Sequence, residues 1–228
     1  MPFIYGYDVG KIMSGSEGRV VRVYLFLQDT MADWETGYVI AELASGRFFR
    51  EGAPEIVFRT VGGTGDPVRT MGGLTVVPDS VLDDIRVSKD TTLIIPGSER
   101  WQGLSSSPVM DVAESIHSSG GTVCAICGAT AALAERGMLD SVRHTSNGPG
   151  FLEMIAVGYS GSLLYEDVPA VSDGRVITAG SHGALMWAKL ILRHLDVFDE
   201  GVLDAWYGYF STGDPECYFR MTGPSRRA

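Results

Sequence analysis

Apolar residues in this chain gather in short, nearly continuous runs, and the stretches between them have helical spacing. Val20–Leu27 is apolar apart from Arg22, the pattern of a strand covered on both faces. Ala32–Ala44 follows with apolar residues at helical intervals (Trp34, Tyr38, Val39, Ala41, Leu43). Asp33 and Glu35 sit in its first turn, where the helix dipole favours acids. Glu55–Val61 reads as a second strand, and Pro67–Thr70 with Gly73–Val77 as a hairpin through Met71-Gly72. Val81–Val87 fits neither period. Thr91–Ile95 is a buried strand that stops at Pro96-Gly97, Pro108–His117 is helical, and Gly121–Ile126 is the next buried strand.

That strand breaks at Cys127-Gly128 into a helix, Ala129–Arg136, with Gly137 as its C-cap. A loop carrying His144, a short helix near Phe151–Ile155, and strands near Ser162–Tyr165 and Val176–Thr178 come next. Two helices, Ala184–Leu195 and Glu200–Phe210, follow. Strands alternating with helices predict an α/β fold with a mainly parallel sheet and helices on both faces, a flavodoxin-like three-layer sandwich. Residues 1–19 show no period and form an N-terminal extension. Residues 20–228 read as one α/β domain.

Charge narrows the partners. A formal net charge of −10 over 228 residues argues against nucleic acid or an anionic membrane as the main partner. No apolar run reaches the ~20 residues of a membrane span, and the first residues lack a signal-peptide pattern. The expected location is the cytoplasm. Three cysteines do not make a disulfide framework, which agrees with a reducing compartment.

The most informative stretch is Gly121–Arg136, GTVCAICGATAALAER. A residue on a sharp strand-to-helix turn projects its side chain at the carboxyl edge of the sheet, where open α/β sheets bind ligands. The turn resembles a nucleophile elbow, and a helix N-terminus stabilises a nearby thiolate. Two readings of Cys127 stay open: a reactive thiol, or a small apolar residue filling a tight corner. Cys124 and Cys127 have C-x-x-C spacing, but Cys124 lies inside the apolar strand and its sulfur belongs to the core. No second Cys/His pair has ligand spacing, so no metal is expected.

Four segments in this order resemble the ThiJ/PfpI family of the class I glutamine amidotransferase-like superfamily. They are Ala32-Asp33-Trp34-Glu35-Thr36, Leu93–Ser98 (LIIPGS), Ala125–Thr130 (AICGAT), and Val176–Ala179 with the helix after it. The similarity spans Val20 to Phe210. It implies that Cys127 is the nucleophile and that Glu35 meets its sulfur as a protonated acid. It further implies that the backbone N–H groups of Ser98 and Gly128 form an oxyanion site. His144, in Arg143-His144-Thr145-Ser146-Asn147, is the candidate general base or acid, because amidotransferase-like relatives carry a similar H-T-S-N. His182 is a rival base. Asn147 is either part of the substrate site or a helix cap, and Trp101 is a candidate pocket wall. His117 and His194 fall on helices and are expected to be solvated.

The departures carry information too. Ser98 replaces the second glycine of the family's P-G-G, and Gly128 stands where the PfpI proteases and chaperone-type glyoxalases have histidine. Met186 replaces a frequent glutamate, and no H-x-E pair is present. The implied function is a cysteine-dependent hydrolase, or a glyoxalase/deglycase-type lyase, acting on a small carbonyl-containing molecule without a cofactor. The alternatives are a non-catalytic redox or stress sensor oxidised at Cys127, and a hydratase or glutamine amidotransferase-like enzyme. A homodimer is expected by resemblance alone.

Overall fold

Successive residues of the first strand point into two different cores, and this makes it read as continuously apolar. The computed structural model describes residues 18–103 and 107–223. Nearly all of the expected extension, residues 1–19, therefore lies outside the described residues. The chain runs β1 (Val20–Leu27), α1 (Asp33–Ser45), β2 (Glu55–Gly62), β3 (Val68–Arg69), β4 (Thr75–Val76), β5 (Ser80–Val81), β6 (Thr91–Ile95) and α2 (Pro108–Ser118). It continues through β7 (Thr122–Ile126), α3 (Gly128–Glu135), α4 (Phe151–Ile155), β8 (Ala170–Asp173), β9 (Val176–Ala179), α5 (Ala184–His194), α6 (Glu200–Thr212) and α7 (Pro215–Thr222).

Seven strands form one sheet in the order β5-β2-β1-β6-β7-β9-β8, parallel except for β8 against β9. Val21, Val23, Leu25 and Leu27 join a core with α1, α5 and α6, which includes the buried Trp187 and Trp206. Tyr24 and Phe26 face the opposite core, built with α2 and α3 around Met110, Ile116 and Leu133. The result is the mainly parallel, flavodoxin-like sandwich that the alternation predicts. No helix among the described residues is long and apolar enough to cross a membrane.

The strand order reverses at β1. The chain steps one way through α1 to β2 and the other way from β6 through α2 to β7. Such a switch point leaves a crevice at the carboxyl ends of the strands, because the loops after neighbouring strands diverge to opposite faces. The loops after β1, β6, β7 and β9 all open there.

The structure corrects four details. Ser162–Tyr165 is not a strand: Ser162–Leu164 is a 3-10 turn and Leu163 is 97% exposed, so its apolar pair faces no core. β8 and α7 lie outside the expected elements. β8 is a short edge strand with Ser172 and Asp173 in it, so it lacks an apolar run. α7 is started by Pro215 and by Asp214, whose carboxylate accepts from the Glu216 amide at 2.9 Å. His194 is half-buried and not freely solvated. Its Nε2 meets Thr122 Oγ1 at 2.7 Å, and burial holds its pKa below the usual histidine value.

Candidate active site

Cys127 joins β7 to α3 with φ 57° and ψ −130°, a backbone conformation that costs an L-residue ~1–3 kcal/mol. Local and tertiary bonds hold it there. Its amide donates to Ala179 O on β9 at 2.9 Å, and its carbonyl accepts from Thr130 Oγ at 2.6 Å. Thr130 Oγ is in turn hydrogen-bonded to Ser146 Oγ at 2.6 Å, which ties the turn to the loop after α3.

Two glycines let other groups approach the sulfur. A Cβ on Gly97 would lie 2.7 Å from Cys127 Cβ and 3.1 Å from its sulfur, so the loop after β6 can touch the thiol only as glycine. A Cβ on Gly128 would meet Trp101 Cγ at 2.5 Å. Trp101 thus packs closely against the start of α3, beside Phe151 at a ring distance of 6.4 Å.

Glu35 is fully buried, one residue into the second half of the first turn of α1. Its Oε2 accepts from the Gly97 amide at 2.7 Å and its Oε1 from Ser181 Oγ at 3.2 Å. Its carboxyl and the Cys127 sulfur converge on Gly97, where an added Cβ would lie 3.0 Å from Oε2 and 3.1 Å from Sγ, so the two groups are neighbours. Burial pushes the Glu35 pKa above the usual carboxyl value, against the pull of the Gly97, Cys127 and Ser181 bonds. Burial and the nearby Glu35 charge also push the Cys127 thiol up, while Asn147 and the Gly128 amide pull it down. The helix N-terminus therefore does not act alone on this thiol. The two groups cannot both ionise cheaply at contact distance, so they behave as a pair holding one proton between them.

Asn147 completes the group. Its Nδ2 donates to Cys127 Sγ at 3.4 Å and its Oδ1 accepts from the Ser181 amide at 2.9 Å. The Ser181 bond fixes the amide's orientation, because a backbone N–H can only donate.

His144 goes elsewhere. It is fully buried, with Nδ1 2.7 Å from Val142 O and Nε2 2.7 Å from Tyr159 Oη, between the Tyr159 and Tyr165 rings. Both ring nitrogens are occupied by these partners. The structure does not bring it to the thiol, so the segment its H-T-S-N pattern marks reaches Cys127 through Asn147. His182 is exposed and lines a groove with Trp34, Tyr38 and Leu185 that adjoins the thiol. Ser98 is buried at the crevice, with its Oγ accepting from the Arg100 amide at 3.1 Å. Sequence reasoning missed Ser181 and the Gly97 amide as partners of Glu35. Ser181 stands one residue past Gly180 at the carboxyl end of β9, and that position was its signal.

Cys124 is fully buried in β7, and burial pushes its thiol far above the usual value, so it is no resolving partner. Among the described residues no group of three or more His, Cys, Asp or Glu is placed to hold a metal.

An open α/β sheet with a cysteine and a buried glutamate meeting at its carboxyl edge defines a recognisable class of protein. The chain belongs to the DJ-1/PfpI family, whose sequence profile matches residues 21–194. It is 38% identical over 206 residues to the uncharacterized protease YoaZ of Bacillus subtilis, covering 90% of this chain and 98% of that protein. Its fold matches the crystal structure of the thiJ/pfpI family protein from Bacillus anthracis with a TM-score of 0.86 at 37% identity, covering 91% of this chain and 98% of that one. The DJ-1 superfamily protein Atu0886 from Agrobacterium tumefaciens matches with a TM-score of 0.73 at 29% identity, over 85% of this chain and 98% of that chain.

Proposed function

We propose that the protein is a cysteine-dependent enzyme, a hydrolase or a glyoxalase/deglycase-type lyase, in which the Cys127 thiolate attacks the carbonyl carbon of a small molecule. One observation carries this reading: Cys127 is held at positive φ with its sulfur against a buried carboxyl whose pKa is raised. Strain of this kind persists where surrounding bonds over-determine it, and here those bonds aim the sulfur at an open crevice. When Glu35 holds the shared proton, its repulsion of the thiolate becomes a hydrogen bond donated to it. The Asn147 N–H and the Gly128 amide add two more donors.

The developing oxyanion would sit by the amides of Ser98 and Gly128. Proton transfer to a leaving group falls to Glu35 or to His182, the histidine that faces the adjoining groove. His144 serves in this reading as a positioning residue for the loop that carries Asn147. The name of the Bacillus subtilis relative favours the hydrolase branch.

A second reading has its own support. The sequestration of His144 leaves the thiol with acid and amide neighbours, the set a redox sensor oxidised at Cys127 needs.

Alkylation of wild type and of Cys127→Ser by limiting iodoacetamide, followed by peptide mass against pH, tests the shared premise. Labelling of Cys127 at pH 7 is expected to be faster than that of Cys217, because the Asn147 and Gly128 donors and a protonated Glu35 favour its thiolate against the upward push of burial. A rate no greater than that of Cys217 would end the nucleophile assignment. Turnover of small esters, thioesters or α-oxoaldehydes then separates enzyme from sensor.

A further inference from the structure

The walls around the thiol carry information about what enters. The crevice at Cys127 is small, about 240 Å³, and is bounded by Trp34, Trp101, Phe151 and Met71 besides the polar groups already described. It adjoins a larger groove of about 630 Å³, and Trp34, Asn147 and Ser181 line both. The groove adds Tyr38, Leu185 and His182. Trp34 stands between the two spaces and is 53% exposed, a large apolar side chain left uncovered at the mouth of a site.

The charges point the same way. Among the described residues lining both spaces there is no lysine or arginine, and the acids are the buried Glu35 and the exposed Glu99. Arg100, the residue after Glu99, pairs with Asp29 at 3.6 Å. A carboxylate or phosphate entering here would find no lysine or arginine among the described residues, only the exposed His182 of the groove, would meet Glu99, and would approach a chain of net charge −10. Aromatic faces, in contrast, bind flat apolar groups with little loss of side-chain freedom.

Resting on the reading of Cys127 as an accessible nucleophile, we infer that the site selects an uncharged carbonyl compound bearing an aryl or similarly sized apolar group. The carbonyl lodges in the crevice and the substituent lies in the groove against Trp34. Trp34 is thus a specificity-determining residue.

Three alkylating reagents test this without knowledge of the natural substrate: iodoacetamide, iodoacetate and N-phenyl iodoacetamide. In each case the thiolate forms a C–S bond, the C–I bond breaks and iodide leaves. Rates at Cys127, read by peptide mass at pH 8, are divided by each reagent's rate with N-acetylcysteine. The expected normalised order places the phenyl reagent about tenfold above iodoacetamide and iodoacetate about tenfold below it. In Trp34→Ala the phenyl-to-iodoacetamide ratio falls to near one, and Trp34→Tyr, which keeps an aromatic face, retains most of it. Equal normalised rates, or a preference for iodoacetate, overturn the inference while leaving Cys127 a nucleophile. Failure of all three reagents to label Cys127 faster than Cys217 removes the nucleophile reading, and the substrate class with it.

Discussion

Asn147 donates its side-chain N–H to the Cys127 sulfur across 3.4 Å, while its carbonyl oxygen is pinned by the Ser181 amide. Asn147→Asp keeps the oxygen for Ser181 but puts a carboxylate oxygen where the donor was. Labelling of Cys127 at pH 7 is expected to slow at least about tenfold, because a hydrogen bond to a charged group is worth ~1.5–3 kcal/mol. Asn147→Ala should show a smaller loss. An unchanged pH profile in both variants would mean the amide does not act on the thiolate.

Glu35 makes a prediction about stability against pH. Burial raises its folded-state pKa above the ordinary value of 4.5. Below that value the carboxyl is protonated in both folded and unfolded chains. As pH rises, the unfolded chain releases the proton first while the folded protein still holds it, so this group's contribution to stability is lost through the raised folded pKa. The slope reaches at most ~1.4 kcal/mol per pH unit for one proton. Denaturant unfolding of wild type and Glu35→Gln between pH 4 and 8 should show the variant gaining on the wild type as pH rises. Parallel curves would contradict the protonation of Glu35 in the folded state.

Gly97 admits the contact between acid and thiol. Gly97→Ala forces a methyl to within 2.7 Å of Cys127 Cβ and 3.0 Å of Glu35 Oε2. The expected result is destabilisation of ~1–3 kcal/mol, the usual cost of overpacking, with loss of the fast labelling phase at Cys127. A variant that folds with wild-type stability and labels at the wild-type rate would show that the loop moves freely.

The two histidines should part company. His144→Ala leaves the Tyr159 hydroxyl and the Val142 carbonyl without their partner and opens a buried space, costing ~2–4 kcal/mol. His182→Ala changes an exposed side chain and should alter stability by less than ~0.5 kcal/mol. Where a turnover assay is found, His182→Ala should lower kcat and shift the pH profile. Loss of turnover in a stably folded His144 variant, with His182→Ala fully active, would reverse the assignment.

Local chemistry made most of the fold legible. β1 and β6 occupy the residues their apolar runs mark, and α1 and α3 differ from expectation by about one residue at each end. Strand period, glycine and proline act within a few residues of themselves. The elements that escaped notice, β5, β8 and α7, are short and at least partly exposed, so no core imposes a pattern on them.

The sequence by itself determined the alternation that makes a parallel sheet, and the abrupt passage from buried strand to helix that places Cys127 at its carboxyl edge. Only the tertiary structure decided what surrounds the sulfur. Glu35 and Ser181 lie 146 residues apart, and Gly97 lies 62 residues from Glu35, yet all three meet at one carboxyl. The choice between His144 and Asn147 was of the same kind. In an extended segment successive side chains point to opposite sides, so residues three apart face opposite ways. Which side meets the thiol depended on Thr145 binding Thr178 on β9 and Ser146 binding Thr130 on α3, contacts no local pattern records.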